Sequence, residues 1–245
     1  MNDKTYFVEI ATSDFITTKS AVEGGADRIE LCANLAEGGV TPSHGYIKKC
    51  RDAFALPLYP IIRPRGGDFL YTAEEFEVMV YDARLCRQLG CDGVVIGLLN
   101  KDGSIDIART SRLVEAVYPL GVTFHRAFDR CIDPIAAMEQ LIEIGCERIL
   151  TSGQKQNAID GVELIAELNR VAAGRIIIMP GSGVRKENVK WLAEQTGCIE
   201  FHASLRSRIA SNMGFVQPAF AADNESYSNN AIDVNEVRAF RGALI

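Results

Sequence analysis

The chain has 245 residues, of which 47% are hydrophobic and 24% charged, the composition of a globular protein with a substantial core and not of a disordered or fibrous one. Its formal net charge of −6 gives no overall attraction for nucleic acid or acidic lipid, so neither is an expected partner. The longest uncharged apolar stretch, near Val94–Leu99, is too short to span a bilayer, and no apolar signal segment opens the chain, so we expect a soluble protein of the cytoplasm without membrane association.

In chain order, a pattern of helix, glycine and short apolar strand repeats. It predicts eight strands that begin near residues 6, 27, 57, 93, 122, 147, 175 and 199. Each run is short and apolar, which is typical of a buried strand of a parallel sheet. Five strands follow a glycine that we expect to end the preceding helix with a positive φ: Gly25, Gly90, Gly121, Gly145 and Gly197.

Amphipathic segments with helical spacing lie between these strands: Glu74–Leu89, Ile107–Val117, Pro134–Ile144, Gly161–Val171 and Lys186–Gln195. Alternating strands and helices also suit an open doubly wound sheet, but Gly181-Ser-Gly183 lacks the third glycine of a dinucleotide fingerprint. We therefore expect no nucleotide cofactor. The sequence predicts one α/β domain over residues 1–245, a closed (β/α)8 TIM barrel, with an irregular loop at 211–230 and a last outer helix at 234–244.

Barrel proteins place their reactive groups at the carboxyl ends of the strands, and these ends carry titratable residues here. One interpretation is a polar pocket at the top of the barrel, and the other is a structural layer of salt bridges inside it. The residues concerned are Glu9, Glu30, Arg63, His125, Arg126, Glu200 and His202.

The segment after the third strand suits an anion. Arg63 and Arg65 leave the strand as two guanidinium groups, and Gly66-Gly67 lets backbone amides turn toward a ligand. A phosphate or carboxylate fits such a segment. The alternative is an arginine pair bound to Glu9 and Glu30 with no ligand.

Two of the three histidines, His125 and His202, follow strands at the same end of the barrel. Each can act as a general base, a metal ligand or an anion donor, and Asp129 is placed to orient the first. The third, His44, lies in a polar loop and is interpreted as structural.

A glycine-rich turn, Met179-Pro-Gly-Ser-Gly-Val184, follows the seventh strand. Backbone amides at such a turn bind anions, and the loops after strands seven and eight of barrels often bind phosphate. The predicted anion-binding residues at these loops are Ser152, Gly153, Gly181, Gly183 and Ser204, together with Arg126.

The seven cysteines include no Cys-x-x-Cys pair, so neither a disulfide framework nor a zinc ribbon is indicated. Cys91, Cys146 and Cys198 precede strands and are interpreted as packing residues. Cys32 ends the second strand and Cys131 lies in the loop after the fifth, so both fall on the functional side.

The chain resembles the CutC family, proteins labelled as copper homeostasis proteins. The resemblance rests on six segments spread over about 200 residues: Gly25-Ala-Asp-Arg-Ile-Glu-Leu-Cys32, Glu37-Gly-Gly-Val-Thr-Pro-Ser43, Ile62-Arg-Pro-Arg-Gly-Gly-Asp-Phe69, Val122-Thr-Phe-His-Arg-Ala-Phe-Asp129, Ile149-Leu-Thr-Ser-Gly153 and Glu200-Phe-His202. It implies a single-domain cytoplasmic barrel, often a homo-oligomer, with a role in copper handling.

The resemblance also implies a Cu(I) ligand at Cys32. The second cysteine found in some members falls at Ala11, which departs from the pattern. Soft metals normally need at least two sulfur ligands, so a partner would have to come from Cys131, from Met179 or across an oligomer interface.

Two hypotheses follow. The first is a copper homeostasis protein that binds Cu(I) through Cys32. The second is an enzyme acting on a small anionic, phosphorylated or carboxylated, metabolite in aldolase-like or isomerase-like chemistry. In the second, Arg63, Arg65 and Gly181–Gly183 hold the anion while Glu9, Glu30, His125 and His202 move protons. No lysine stands at these strand ends, so a Schiff base is not expected.

Overall fold

The computed structural model describes residues 5–220 and 227–245, in which eight parallel strands alternate with eight helices. The strands are β1 (Phe7–Thr12), β2 (Arg28–Leu31), β3 (Leu58–Pro60), β4 (Gly93–Ile96), β5 (Gly121–Phe124), β6 (Arg148–Thr151), β7 (Ile177–Pro180) and β8 (Glu200–Ala203). The helices are α1 (Phe15–Glu23), α2 (His44–Ala53), α3 (Ala73–Gln88), α4 (Ile107–Val117), α5 (Pro134–Ile144), α6 (Val162–Ala172), α7 (Val189–Thr196) and α8 (Val234–Gly242).

The strands form a closed ring. β1 pairs in parallel with both β2 and β8. The first and last strands of the series are neighbours only if the sheet closes into a ring. A bridge between Ile61 and Val95 joins β3 to β4, and β7 lies beside β8. The fold is therefore the predicted (β/α)8 TIM barrel, and the open doubly wound alternative is wrong.

The predicted strand starts lie within two residues of the observed ones. Of the five glycines expected to end helices with a positive φ, four do so: Gly25, Gly90, Gly145 and Gly197, with φ between 69° and 93°. Gly121 is different, because it is the first residue of β5 itself. A Cβ there would lie 2.3 Å from Tyr59 Oη, so this glycine is required by a close approach inside the barrel and not by helix capping.

Two short antiparallel strands stand between β8 and α8, namely β9 (Arg206–Ala210) and β10 (Ser228–Ile232). β10 begins inside the stretch 211–230 that the sequence predicts as irregular, and residues 221–226 of that stretch lie outside the described residues. The strand escapes prediction because Ser228-Asn-Asn has no apolar alternation, and the backbone pairing with β9 forms it instead. Among the helices of the described ranges, none is long and apolar enough to cross a membrane.

The two faces of the barrel wall differ in chemistry. Residues such as Val8, Ile10 and Ile29 belong to the large apolar core that also includes buried residues of the outer helices. Alternate residues point the other way, into the barrel, where a small apolar cluster of Cys32, Tyr59, Ile61 and Val95 is separate from the main core. The rest of the interior is largely polar, and this polar interior positions the site.

Candidate functional site

The carboxyl ends of the strands surround an open cavity of about 310 Å³. This is the face at which the sequence predicts the functional residues to meet. Eight of the predicted site residues line it: Glu30, Arg63, His125, Arg126, Asp129, Gly183, His202 and Ser204. The structure thus brings together groups that are up to 174 positions apart in the chain, from Glu30 to Ser204.

Below the cavity, the barrel interior holds a buried network of ionic groups. Arg28 donates to Glu9 through Nε and to Glu200 Oε2 through Nη2 at 2.8 Å. Arg148 donates from Nε to the same Glu200 oxygen at 2.6 Å. Arg28, Arg148 and Glu9 are almost completely buried, and Glu200 is 10% exposed in its side chain. This part of the charge set is the structural salt-bridge layer that the sequence left as an alternative, with Arg28 and Arg148 as members that sequence reasoning missed.

His202 lies between two carboxylates at the floor of the cavity. Its Nδ1 is 2.7 Å from Glu9 Oε1, and its Nε2 is 3.8 Å from Glu30 Oε2, which is within ion-pair range but too long for a hydrogen bond. Glu9 does not itself line the cavity. It supports His202 from below and is in turn held by Arg28.

The three groups have opposed protonation tendencies. Burial alone would raise the pKa of Glu9, but Arg28 and the hydrogen bond from His202 hold that pKa well below its usual range. Burial opposes a charge on His202, yet the bond to Glu9 and the neighbouring Glu30 raise its pKa. Burial raises the pKa of Glu30 to about 7, with His202 opposing this shift and Glu9 adding to it. Glu9 is therefore a fixed anion, whereas the raised pKa of Glu30 leaves that carboxyl partly protonated near neutral pH.

These shifts predict a pH-dependent stability. The folded pKa of Glu30 lies above its unfolded value of about 4.5, so its contribution to the free energy of unfolding is complete below that value and is lost as pH rises through about 7. His202, also raised, acts in the same direction. We expect urea midpoints to fall between about pH 5 and pH 8, and Glu30→Gln to flatten this fall. Glu143→Gln, at an exposed position on α5, is the control, and an unchanged slope in Glu30→Gln would contradict the assignment.

Asp129 holds the loops around the cavity and does not orient His125 as the sequence suggested. It accepts hydrogen bonds from Thr151 Oγ1 at 2.5 Å, from the Ser152 backbone N–H at 2.9 Å and from Arg126 Nε at 2.7 Å. Ser152 Oγ is 2.8 Å from Arg126 Nη2. Ser152 therefore acts behind the cavity wall by fixing Arg126, which lies in the wall.

Three further predicted residues do not line the cavity: Arg65, Gly153 and Gly181. Arg65 turns outward to Glu75 on α3, with Nε 2.5 Å from Oε1, and to Asp68 at 3.0 Å. The Arg65 guanidinium is therefore engaged away from the cavity, and anion binding by Arg65 stays a prediction of the sequence that this geometry does not support. Gly153 and Gly181 serve the backbone at the ends of β6 and β7, where each amide bonds to Thr151.

Arg63 also has a local role. Its Nη1 donates to the carbonyls of Glu37 and Gly39, each at 2.8 Å, and its Nη2 donates to the Gly67 carbonyl at 2.9 Å. It thereby ties the loop after β2 to the turn after β3, and it still lines the cavity. The alternative of a ligand-free pair with Glu9 and Glu30 is wrong, since Arg63 bonds to neither.

The residues around Cys32 do not fit a copper ion. The thiol is 1% exposed, and burial, the Glu30 charge and a hydrogen bond to Glu30 raise its pKa well above the usual value. A copper ligand must be a thiolate. The two sulfur partners considered from the sequence are engaged elsewhere, Met179 with Arg28 and Cys131 with Gln154. Within the described ranges, no group of three His, Cys, Asp or Glu side chains could hold a metal.

We therefore expect Cu(I) binding to be independent of Cys32. In a titration of Cu(I) against a strong competing chelator, the parent and Cys32→Ser should take up the same amount of metal, because a protonated and buried thiol offers little affinity. Uptake by the parent that disappears in Cys32→Ser would contradict this expectation.

The mouth of the cavity carries arginines that the sequence analysis did not single out: Arg130, Arg185 and Arg206. They lie on the 3₁₀ turn after β5, after the glycine-rich turn and at the start of β9. In the sequence, Arg130 follows Asp129 and Arg185 lies two residues after Gly183. Their closeness to predicted site residues could have identified them. Arg206 had no such signal, because β9 itself was not predicted.

Fold and site together define a (β/α)8 barrel protein with a polar cavity at the carboxyl ends of its strands. The family model described as the CutC family matches residues 6–207, and the chain belongs to this family. A CutC family protein from Chromobacterium violaceum is 47% identical over 240 residues, which is 97% of each chain. One from Parabacteroides distasonis is 52% identical over 209 residues, covering 85% of this chain and 86% of the other.

A solved structure is also similar. The CutC protein of Streptococcus agalactiae, which is described provisionally as a copper homeostasis protein, is 32% identical with a TM-score of 0.78, over 81% of this chain and 98% of that one. The likeness covers the barrel and supports the family assignment independently of the sequence match.

Proposed function

We propose that this chain is a barrel enzyme that binds a small anionic metabolite in the cavity and moves a proton on it, in aldolase-like or isomerase-like chemistry. The observation that carries the proposal is the placement of His202 and Glu30 side by side in the wall of a cavity whose other charged residues are mostly arginines.

The charge around the cavity supports an anionic ligand. Five arginines line it against three carboxylates, in a chain whose overall charge is negative: Arg63, Arg126, Arg130, Arg185 and Arg206 against Glu30, Glu37 and Asp129. Asp129 is already paired with Arg126. The remaining arginines attract a carboxylate or phosphate and repel a metal cation, so the same residues disfavour copper as the ligand.

The proton step is supported by the two groups with raised pKa values. An acid and a base are most effective when their pKa values lie near the working pH, and Glu30 has a pKa of about 7. Glu30 as the carboxylate takes a proton from a substrate carbon, and His202, kept charged by Glu9, supplies one from Nε2 to the same or the adjacent carbon. Glu30 then passes its proton to His202, whose Nε2 is 3.8 Å from Glu30 Oε2. Both groups thereby return to their starting states, so no covalent intermediate is needed.

The second candidate function is copper homeostasis, the role given provisionally to the Streptococcus agalactiae protein. For this chain, that function depends on Cys32 alone. Assembly as a homo-oligomer and a cytoplasmic location stay predictions of the sequence.

The first experiment is a thermal-shift screen with small carboxylates, phosphate esters and Cu(I). A ligand at 100 times its Kd adds about 2.7 kcal/mol to the free energy of unfolding, which is readily seen. We expect anion hits that stabilise the parent and Arg65→Gln equally and are lost in Arg185→Gln and Arg63→Gln. Arg65 is the matched control, since it comes from the same turn as Arg63 but faces away from the cavity. Two test variants are used because Arg63 also holds two loops.

The second experiment tests the proton step. Each anion hit is incubated with the protein in D2O, and deuterium uptake at carbon is followed by mass spectrometry. Hits that bind but take up no deuterium would refute proton transfer, and a screen without anion hits would refute the proposal as a whole. A copper hit lost in Cys32→Ser would favour the second candidate.

A further inference from the structure

His125 is held in one tautomer by its surroundings. It follows β5, is 4% exposed, and its Nδ1 accepts a hydrogen bond from the Ala127 backbone N–H at 3.0 Å. A nitrogen that accepts carries no hydrogen, so the neutral ring has its hydrogen on Nε2. Burial, and then the positive charge of Arg63, lower the pKa of His125 to about 3, so the ring stays neutral at physiological pH.

The ring position depends on a glycine of the neighbouring strand end. A Cβ at Gly97, just after β4, would lie 2.2 Å from His125 Cε1 and 2.3 Å from its Nδ1. Glycine at this position gives the ring room, and Phe69 packs against the ring at a centroid distance of 5.0 Å. His125 is therefore a rigid group in the cavity wall.

The remaining nitrogen, Nε2, is buried and has no hydrogen-bond partner among the described residues. The neighbouring Arg63 is held by backbone carbonyls at its Nη1 and Nη2 groups, and its guanidinium also interacts with the Tyr71 hydroxyl. The Arg63 guanidinium lies over the ring of Phe69 at 5.1 Å, so Phe69 contacts both groups. Leaving a buried donor without an acceptor costs about 1–3 kcal/mol, and native proteins do this rarely. Both side chains line the cavity, where a ligand would supply the acceptor.

We propose that His125 serves as a fixed, neutral hydrogen-bond donor to an oxygen of the substrate, next to the charge of Arg63, and that it does not act as a base. The substrate class that fits is a carbonyl or carboxylate compound, with this oxygen toward His125 on the β5 side and the carbon that loses its proton toward His202 and Glu30 on the β8 and β2 side. This inference rests on the proposed function for its chemistry, and it replaces the sequence-based role of His125 as a proton-moving group.

The chemical advantage lies in the developing charge. When Glu30 removes a proton from carbon, the electron pair of the C–H bond moves into the adjacent carbonyl, and the oxygen becomes negative. A neutral imidazole N–H and a guanidinium that are already in position stabilise that oxygen without reorganisation. A protonated imidazole is not needed, which agrees with the buried and cation-adjacent setting of His125.

The decisive test is NMR of the protein labelled with ¹⁵N in its three histidines, with signals assigned through His44→Asn and His202→Gln. For His125 we expect an unprotonated Nδ1 and a protonated Nε2 from about pH 5.5 to 8.5, with no titration between. Pyruvate is the oxyanion probe and inorganic phosphate the second. Either should move the Nε2–H signal downfield in the parent and in Arg65→Gln. A titrating His125, a proton on Nδ1, or an Nε2–H signal that neither probe moves would overturn the inference.

Two variants give a second readout. His125→Gln keeps an N–H donor and His125→Leu removes it, so in the deuterium-uptake assay the leucine variant should lose about 10²-fold or more and the glutamine variant clearly less, with unchanged pH profiles. Equal losses would contradict a donor role. Failure of the proposed function can be told apart from failure of this inference. A parent protein that takes up no deuterium refutes the proposed function but leaves the NMR result on the His125 tautomer valid. A His125 that titrates refutes this inference even if the parent is active.

Discussion

Replacing Arg28 with methionine is expected to lower the free energy of unfolding by about 3–5 kcal/mol, because it leaves buried carboxylates without their cation. Arg28 bonds to Glu9 and to Glu200 in the barrel interior, and its side chain is only 3% exposed. Methionine fills much of the volume, so the loss reports on charge more than on packing. Arg148 still contacts Glu200, which leaves Glu9 as the group most affected.

Urea denaturation with linear extrapolation measures this change. Arg175→Met is the matched control, because Arg175 makes an ion pair with Glu139 at 2.6 Å that is about half exposed and contributes at most about 1 kcal/mol. Adding Glu9→Gln to Arg28→Met should restore part of the stability, because it neutralises the carboxylate that has lost its cation. If Arg28→Met loses no more than the control, the interior network does not have the energetic role assigned to it.

The sequence predicts the barrel well because the barrel repeats one local unit. Each strand is a short apolar run after a helix, and positive-φ glycines such as Gly25 and Gly145 mark where one unit ends and the next begins. Closure follows from counting eight such units. The antiparallel pair after β8 breaks the repeat. Its second strand, Ser228–Ile232, is mostly polar, so the sequence shows no alternation of apolar residues that would predict a strand there.

The site is only partly predictable from local sequence, because the sequence shows which residues end strands but not where their side chains turn. Arg63 and Arg65 are equivalent in the sequence, yet one lines the cavity and the other pairs with Glu75. Arg28 and Arg148 begin their strands, at the end of the barrel where scaffold residues are expected. Their function appears only when the ring places them against Glu9 and Glu200.

Replacing His202 with glutamine is expected to slow deuterium uptake into the substrate by about 10²–10⁴-fold, the usual contribution of a positioned acid or base, while substrate binding is retained. Glutamine preserves the size and can still contact Glu9, but it cannot exchange a proton. In the parent, the rate should rise as pH passes about 7, where Glu30 loses its proton and becomes able to accept one from carbon. Glu30→Gln should remove that rise.

The matched control is His44→Gln, because His44 is exposed at the start of α2 and lies outside the cavity. That variant should keep the parent rate and pH profile. Because Glu9 holds His202 from below, Glu9→Gln should lower the rate as well, by withdrawing the charge that keeps the imidazole protonated. Deuterium uptake at the parent rate in His202→Gln would show that the proton is moved elsewhere in the cavity, and the pairing of Glu9, His202 and Glu30 would then be structural.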